Sequence, residues 1–165
     1  MVCRKIEKTA GLLIALFIVT SALIYVPEWE TVGISRNCHI LQRLGYSFFH
    51  TSLVHAAVNA WCLLSILFLY DVSWRRIGCA YIIAVTVPGF VLSAVPTVGL
   101  SALCFALMGS IAFQVRRKLY YNGCMALYIA IGMVLPSVNG WIHLYCYLAG
   151  LLVGFLNMPV PCRRK

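Results

Sequence analysis

The chain has 165 residues, of which 62% are hydrophobic and only 10% charged, and its mean hydropathy is +0.92. A water-soluble globular domain of this size needs far more polar surface, so that class is excluded and an all-α, polytopic membrane protein is expected. The net charge of +9 then reflects membrane topology and attraction to anionic headgroups, and binding to nucleic acid is not expected.

Six apolar segments follow one another, at residues 10–26, 47–70, 77–95, 99–115, 119–135 and 141–158. Each has 17 to 24 residues, near the ~20 that a spanning helix requires. Together they leave little besides loops, which predicts one domain over residues 1–165. The first segment follows Arg4, Lys5 and Lys8. Its long apolar core, with no small-x-small site after Tyr25-Val26-Pro27, reads as a retained helix and not a signal peptide. An outer loop from Pro27 to Tyr46 comes next, long enough to carry structure of its own. Its Ile40, Leu41, Leu44 and Tyr46 suit a stretch lying along the membrane surface.

The second segment contains His50, His55 and Asn59, and the third is interrupted by Pro88-Gly89, which predicts a kink. The fourth opens on Gly99-Leu100-Ser101 and runs to Arg116-Arg117-Lys118. The fifth has few polar groups, and the sixth carries His143 and stops at Pro159. Eleven of the 13 basic residues fall at one set of segment ends, leaving Arg36 and Arg43 on the other side. That alternation predicts six spans with both termini cytoplasmic. Trp29, Trp74 and Trp141 sit at segment ends, where interfacial aromatics belong. The eight cysteines show no metal-ligand spacing, so no disulfide, metal or cofactor is expected.

Depth singles out four side chains. Ser101 lies 15 residues before Arg116, so a helix rising ~1.5 Å per residue lifts it ~22 Å above the cytoplasmic surface. Counted from Met158, the last residue before Pro159, His143 also lies at ~22 Å, and counted from Asp71, His55 and Asn59 lie at ~24 and ~18 Å. His55 and Asn59 are four apart and share a helix face. Each alone has an ordinary reading: a serine bonded to its own helix, an asparagine joining helices, an interfacial or supporting His50. Unpaired polar groups in lipid are costly, which pushes the set to converge inside the bundle.

A serine needs a base to become a nucleophile, and His143 can take its proton. Acyl transfer also needs donors for the oxyanion. The Ser101 N–H, free in the first helical turn, and the side chains of His55 and Asn59 supply them. No acid is available at this depth, since Glu7, Glu28, Glu30 and Asp71 all lie elsewhere. Phe105, four residues after Ser101, is placed to stack on His143 and orient it.

These motifs resemble those of the rhomboid intramembrane serine proteases of the compact six-helix bacterial type. The serine motif G-x-S-x is similar to Gly99-Leu100-Ser101-Ala102, continuing into Ala106-Leu107-Met108-Gly109. The H-x4-H-x3-N motif is similar to His50, His55 and Asn59, and the late histidine motif to His143, Gly150 and Gly154. The resemblance implies Ser101 as nucleophile, His143 as general base, and His55, Asn59 and the Ser101 amide as the oxyanion hole, with Gly99, Phe105 and His50 in support. It also implies transmembrane protein substrates with small, helix-destabilising residues near the outer face, and a multi-pass protein of the cell membrane, the bacterial inner membrane. Ala102 and Cys146 stand where the family has glycines, Phe105 where tyrosine is common, and Gln42-Arg43 where a Trp-Arg pair is usual. The first two fall where the fourth and sixth helices are expected to touch.

The expectation is an intramembrane serine endopeptidase, with the fifth helix and the outer loop as the gate for lateral entry. A pseudoprotease that binds transmembrane segments is the alternative. A transporter subunit calls for ionisable residues along a pathway, including acids, and none lies at depth.

Overall fold

Three helices begin where a short polar side chain accepts a backbone N–H, at Ser52, Ser73 and Asn139. In this computed structural model, residues 3–24, 28–136 and 138–157 are described, with side chains from residue 6 onward. The expected helix ends at Val26 and Met158, the stop at Pro159, the site after Tyr25 and the cluster Arg163–Lys165 lie outside the described residues.

Among the described residues there are seven α-helices and no strand. Helix α1 (Cys3–Ser21) ends with the Ser21 hydroxyl donating to Phe48 O at 2.8 Å. The outer loop is not featureless: it holds a 3-10 turn at Trp29–Thr31, helix α2 (Ile40–Gly45) and a second 3-10 turn at Tyr46–Phe48. Helix α3 (Leu53–Leu69) starts where Ser52 Oγ accepts the His55 N–H at 3.1 Å. Residues 47–52 of the second expected segment therefore lie outside its helix, and His50 with them. Helix α4 (Trp74–Val85) is capped by Ser73.

The third segment corrects the expectation of a kink. Its helix stops at Val85, and the chain continues through a 3-10 turn at Gly89–Val91. Pro88 has no N–H to continue a helix, and it disfavours helical backbone at Val87. Helix α5 (Ser101–Ile111) is shorter than the segment 99–115, and is followed by α6 (Lys118–Val134) and α7 (Gly140–Leu156). No single described helix is long and apolar enough to cross a membrane; the pair 40–48 and 53–69, bent by 86°, passes together. Large apolar side chains nevertheless cover the outside, among them Leu13, Val54, Trp61, Leu119 and Val134.

Helix α5 occupies the centre, with nine of its eleven residues buried. It packs most closely on α7. A β-carbon at Gly150 would strike Ala106 O, one at Gly154 would fall 2.6 Å from Ser110 O, and one at Gly109 would strike Tyr147 O. The two helices thus keep a constant register, 106 opposite 150 and 110 opposite 154. One turn earlier the same register sets Ala102 opposite Cys146, both fully buried. At the far end Arg76 donates to Ser110 O (2.9 Å) and Asn157 O (3.0 Å). Arg75 is exposed as a surface charge should be, but Arg76 is buried and caps both helix ends.

On the opposite side, α1 packs against α3 through Ala15 and Ile18, with Gly11 seated on Leu67. The outer loop is tied to the chain before α5 by an isolated bridge between Ile34 and Thr97, each N–H donating to the other's carbonyl at 2.9 Å. Arg43 donates to Val87 O at 2.7 Å, and Tyr46 Oη to Ala84 O at 3.0 Å, covering the free carbonyls at the end of α4. Gln42 accepts the His39 N–H and donates to Glu30 O and to Gly33 O, so Gln42-Arg43 is built into the loop.

Candidate active site

The segment Gly99-Leu100-Ser101 is held from three sides before α5 begins. Gly99 N–H donates to Tyr46 O at 3.0 Å, and Leu100 N–H to His50 Nε2 at 3.2 Å. Because Nε2 accepts, His50 is neutral with its proton on Nδ1. It is buried and holds the turn from inside. Gly99 has φ +118°, a backbone conformation that side chains strongly disfavour. The turn delivers Ser101 as the first residue of α5, where no carbonyl four residues earlier is in helical position to accept its N–H.

Ser101 Oγ lies 3.0 Å from His143 Nε2, which is hydrogen-bonding distance. His143 reaches it from the first turn of α7, whose start is fixed by Asn139 Oδ1 accepting the Ile142 N–H at 3.3 Å. The Phe105 ring stacks on the imidazole, with centroids 4.2 Å apart and planes 13° from parallel. On its other side the imidazole faces α6: a β-carbon at Gly132 would lie 3.6 Å from Nδ1. No carboxylate joins it among the described residues. The substitutions at 102 and 146 are accommodated at the α5–α7 contact, and the serine and histidine remain within reach.

His55 and Asn59 stand beside Gly99. A β-carbon at that position would fall 2.8 Å from His55 Cε1, 2.9 Å from Nε2 and 3.6 Å from Asn59 Nδ2. The missing side chain is therefore what lets His55 close on the serine turn. Thr51 Oγ1 is 3.3 Å from His55 Nδ1. A threonine donating there leaves the His55 proton on Nε2, the nitrogen beside Gly99. Asn59 Nδ2 spends one hydrogen on His55 O at 3.1 Å and keeps the other. The His50 and His55 rings meet edge to face at 4.9 Å.

The structure thus gathers Ser101, His143 and Phe105 in one contact, and His55, Asn59, Gly99 and His50 in an adjoining one. Sequence reasoning passed over Thr51 and Gly132. Thr51 is four residues before His55, a spacing that signals a side-chain pair if the turn is helical. Gly132 carried no local signal, since only the approach of α7 makes its lack of a side chain matter. Ser101 and His143 are both partly exposed, so small molecules have access. The arrangement sets a hydroxyl against an imidazole beside a group of hydrogen-bond donors, a combination that acyl transfer can use.

A family model for the Rhomboid domain matches residues 37–162, well over half the chain. Comparison with curated proteins and with solved structures gave no match. The matched region includes every residue of the site, and on that match the chain belongs to the rhomboid family, whose members are membrane-embedded and mostly serine intramembrane proteases.

Proposed function

We propose that this chain is an intramembrane serine endopeptidase with Ser101 as nucleophile and His143 as general base. The observation that carries the reading is the 3.0 Å separation of Ser101 Oγ and His143 Nε2 across two helices. His143 Nε2 takes the hydroxyl proton as Oγ attacks the scissile carbonyl, and later gives that proton to the leaving amine. The Ser101 N–H, His55 Nε2–H and the spare Asn59 N–H stabilise the oxyanion, and water then hydrolyses the acyl-enzyme. The Phe105 stack orients the imidazole, a task an acid performs in Ser-His-Asp triads.

Six spans with both termini cytoplasmic place this site below the outer surface. Substrates are transmembrane or membrane-proximal segments with small, helix-destabilising residues, because a helix protects its own amides until it unwinds. Entry is lateral, past α6 and the outer loop. Helix α6 is tied to its neighbours near its start, by Tyr121 Oη donating to Met108 O (2.9 Å) and Tyr147 Oη to Asn122 Oδ1 (2.7 Å). Its far half lacks such side-chain bonds among those described, which suits a helix that opens at the outer end.

Labelling of detergent-solubilised protein by a fluorophosphonate tests the reading. Wild type should label, and Ser101→Ala and His143→Ala should not. Failure of folded wild type to label, with transmembrane segments still bound, establishes the pseudoprotease instead.

A further inference from the structure

A groove of about 570 Å³ lies on the far side of α7 from the serine site, between that helix and the stretch after α4. Its walls include Arg36, Phe90, Leu92, Asn139, Trp141 and Leu148. Successive residues of a helix turn by ~100°. Trp141 and Leu148 therefore project roughly opposite to His143, so this groove and the serine site occupy different faces.

Its chemistry is one-sided. Arg36 is fixed in place, its Nε donating to Leu92 O at 3.0 Å and its N–H to Ser93 O at 3.2 Å. That anchoring leaves the two terminal guanidinium nitrogens at the rim as donors. Asn139 has its Oδ1 engaged by Ile142 N–H, while its Nδ2 is buried without a hydrogen-bond partner. That nitrogen has no accessible surface, so the donors an occupant of the groove meets are those of Arg36. No aspartate or glutamate lines the groove. The remaining wall is apolar and open, with Phe90 86%, Trp141 62% and Leu148 54% exposed. An occupant must therefore join an acceptor-rich anion to hydrocarbon.

We infer that this groove binds one anionic phospholipid, its phosphodiester on Arg36 and an acyl chain along Trp141 and Leu148. Arg36 is one of only two basic residues outside the cytoplasmic clusters. Arg43, the other, is committed to the end of α4. The site is thus the one place on its side of the protein where a guanidinium with unused donors meets an apolar channel. A headgroup held there bridges the outer loop to the start of α7, two elements that also bound the serine site.

The test uses the full chain in nanodiscs with Trp29, Trp61 and Trp74 replaced by Phe, so that Trp141 is the reporter. It is run in Ser101→Ala, so its outcome is independent of the protease reading. Phosphatidylglycerol with dibrominated chains should quench Trp141 at about fivefold lower mole fraction than dibrominated phosphatidylcholine, the worth of one basic residue. Arg36→Gln should remove the difference. So should Ser93→Asp, which sets a carboxylate beside the guanidinium and leaves its bond to Leu92 O in place. Soluble glycerol phosphate should not relieve the quenching. Equal quenching by both lipids, a preference that survives Ser93→Asp, or displacement by glycerol phosphate would each overturn the assignment.

Discussion

Gly99→Ala is the sharpest probe of how the turn before α5 serves the site. The new methyl would stand 2.8 Å from His55 Cε1 and 2.9 Å from Nε2, well inside contact distance. Alanine at φ +118° also costs about 1–3 kcal/mol of backbone strain. The atoms nearest the new methyl belong to His55, and neither Ser101 nor His143 is struck, so the first effect falls on the His55 donor. Losing one oxyanion donor costs ~10²–10³ in turnover. Cleavage of a transmembrane reporter in proteoliposomes should therefore fall by about that factor, with His55→Ala falling similarly. The double variant decides between causes. If the methyl acts by displacing the imidazole, Gly99→Ala adds little to His55→Ala, since the ring it strikes is gone. Multiplication of the two losses, toward ~10⁴ or more, refutes the reasoning and points to strain transmitted to Ser101 itself.

Four further outcomes are expected. Thr51→Val removes the hydroxyl beside His55 Nδ1; it frees the imidazole to change tautomer and should lower turnover about tenfold, while leaving thermal stability within ~0.5 kcal/mol of wild type as for other exposed positions. Phe105→Leu should slow fluorophosphonate labelling about tenfold and Phe105→Tyr should restore it, because the stack on His143 needs an aromatic ring. Gly150→Ala drives a β-carbon into Ala106 O, and separating α5 from α7 by ~1 Å should cost ~10² in labelling rate; wild-type labelling in this variant would show that the helices yield elsewhere. A cysteine cross-link between the outer turns of α3 and α6 should abolish cleavage of a transmembrane substrate and spare labelling by the small probe; unchanged cleavage would reject lateral entry past α6.

What was legible in the chain was which side chains meet and on which helix faces. Counting from Arg116 and from the Pro159 stop set Ser101 and His143 at one level, because helical rise is nearly constant and both helices run the same way. The stacking of Phe105 followed from a four-residue spacing for the same reason. Helix ends were less legible. Apolar runs continue through Ser47–Ser52 and Thr86–Val95, but serine caps and Pro88 end the helices inside them. The loops were least so. The Ile34–Thr97 bridge joins residues 63 apart, and no periodic signal spans such a distance. Arg76 misled in a different way, since a cation beside a membrane and one capping buried carbonyls look alike as a letter.

The lacing of α5 to α7 bears on how the protein tolerates being opened. The proposed nucleophile and base ride on one stiff two-rod unit, glycine-notched along its length and pinned at its base by a single guanidinium. On the proposed lateral entry, neighbouring rods swing aside for a bulky guest while this unit stays intact. Readiness for chemistry and admission of the guest are thereby separate degrees of freedom, and selection can tune one without loosening the other.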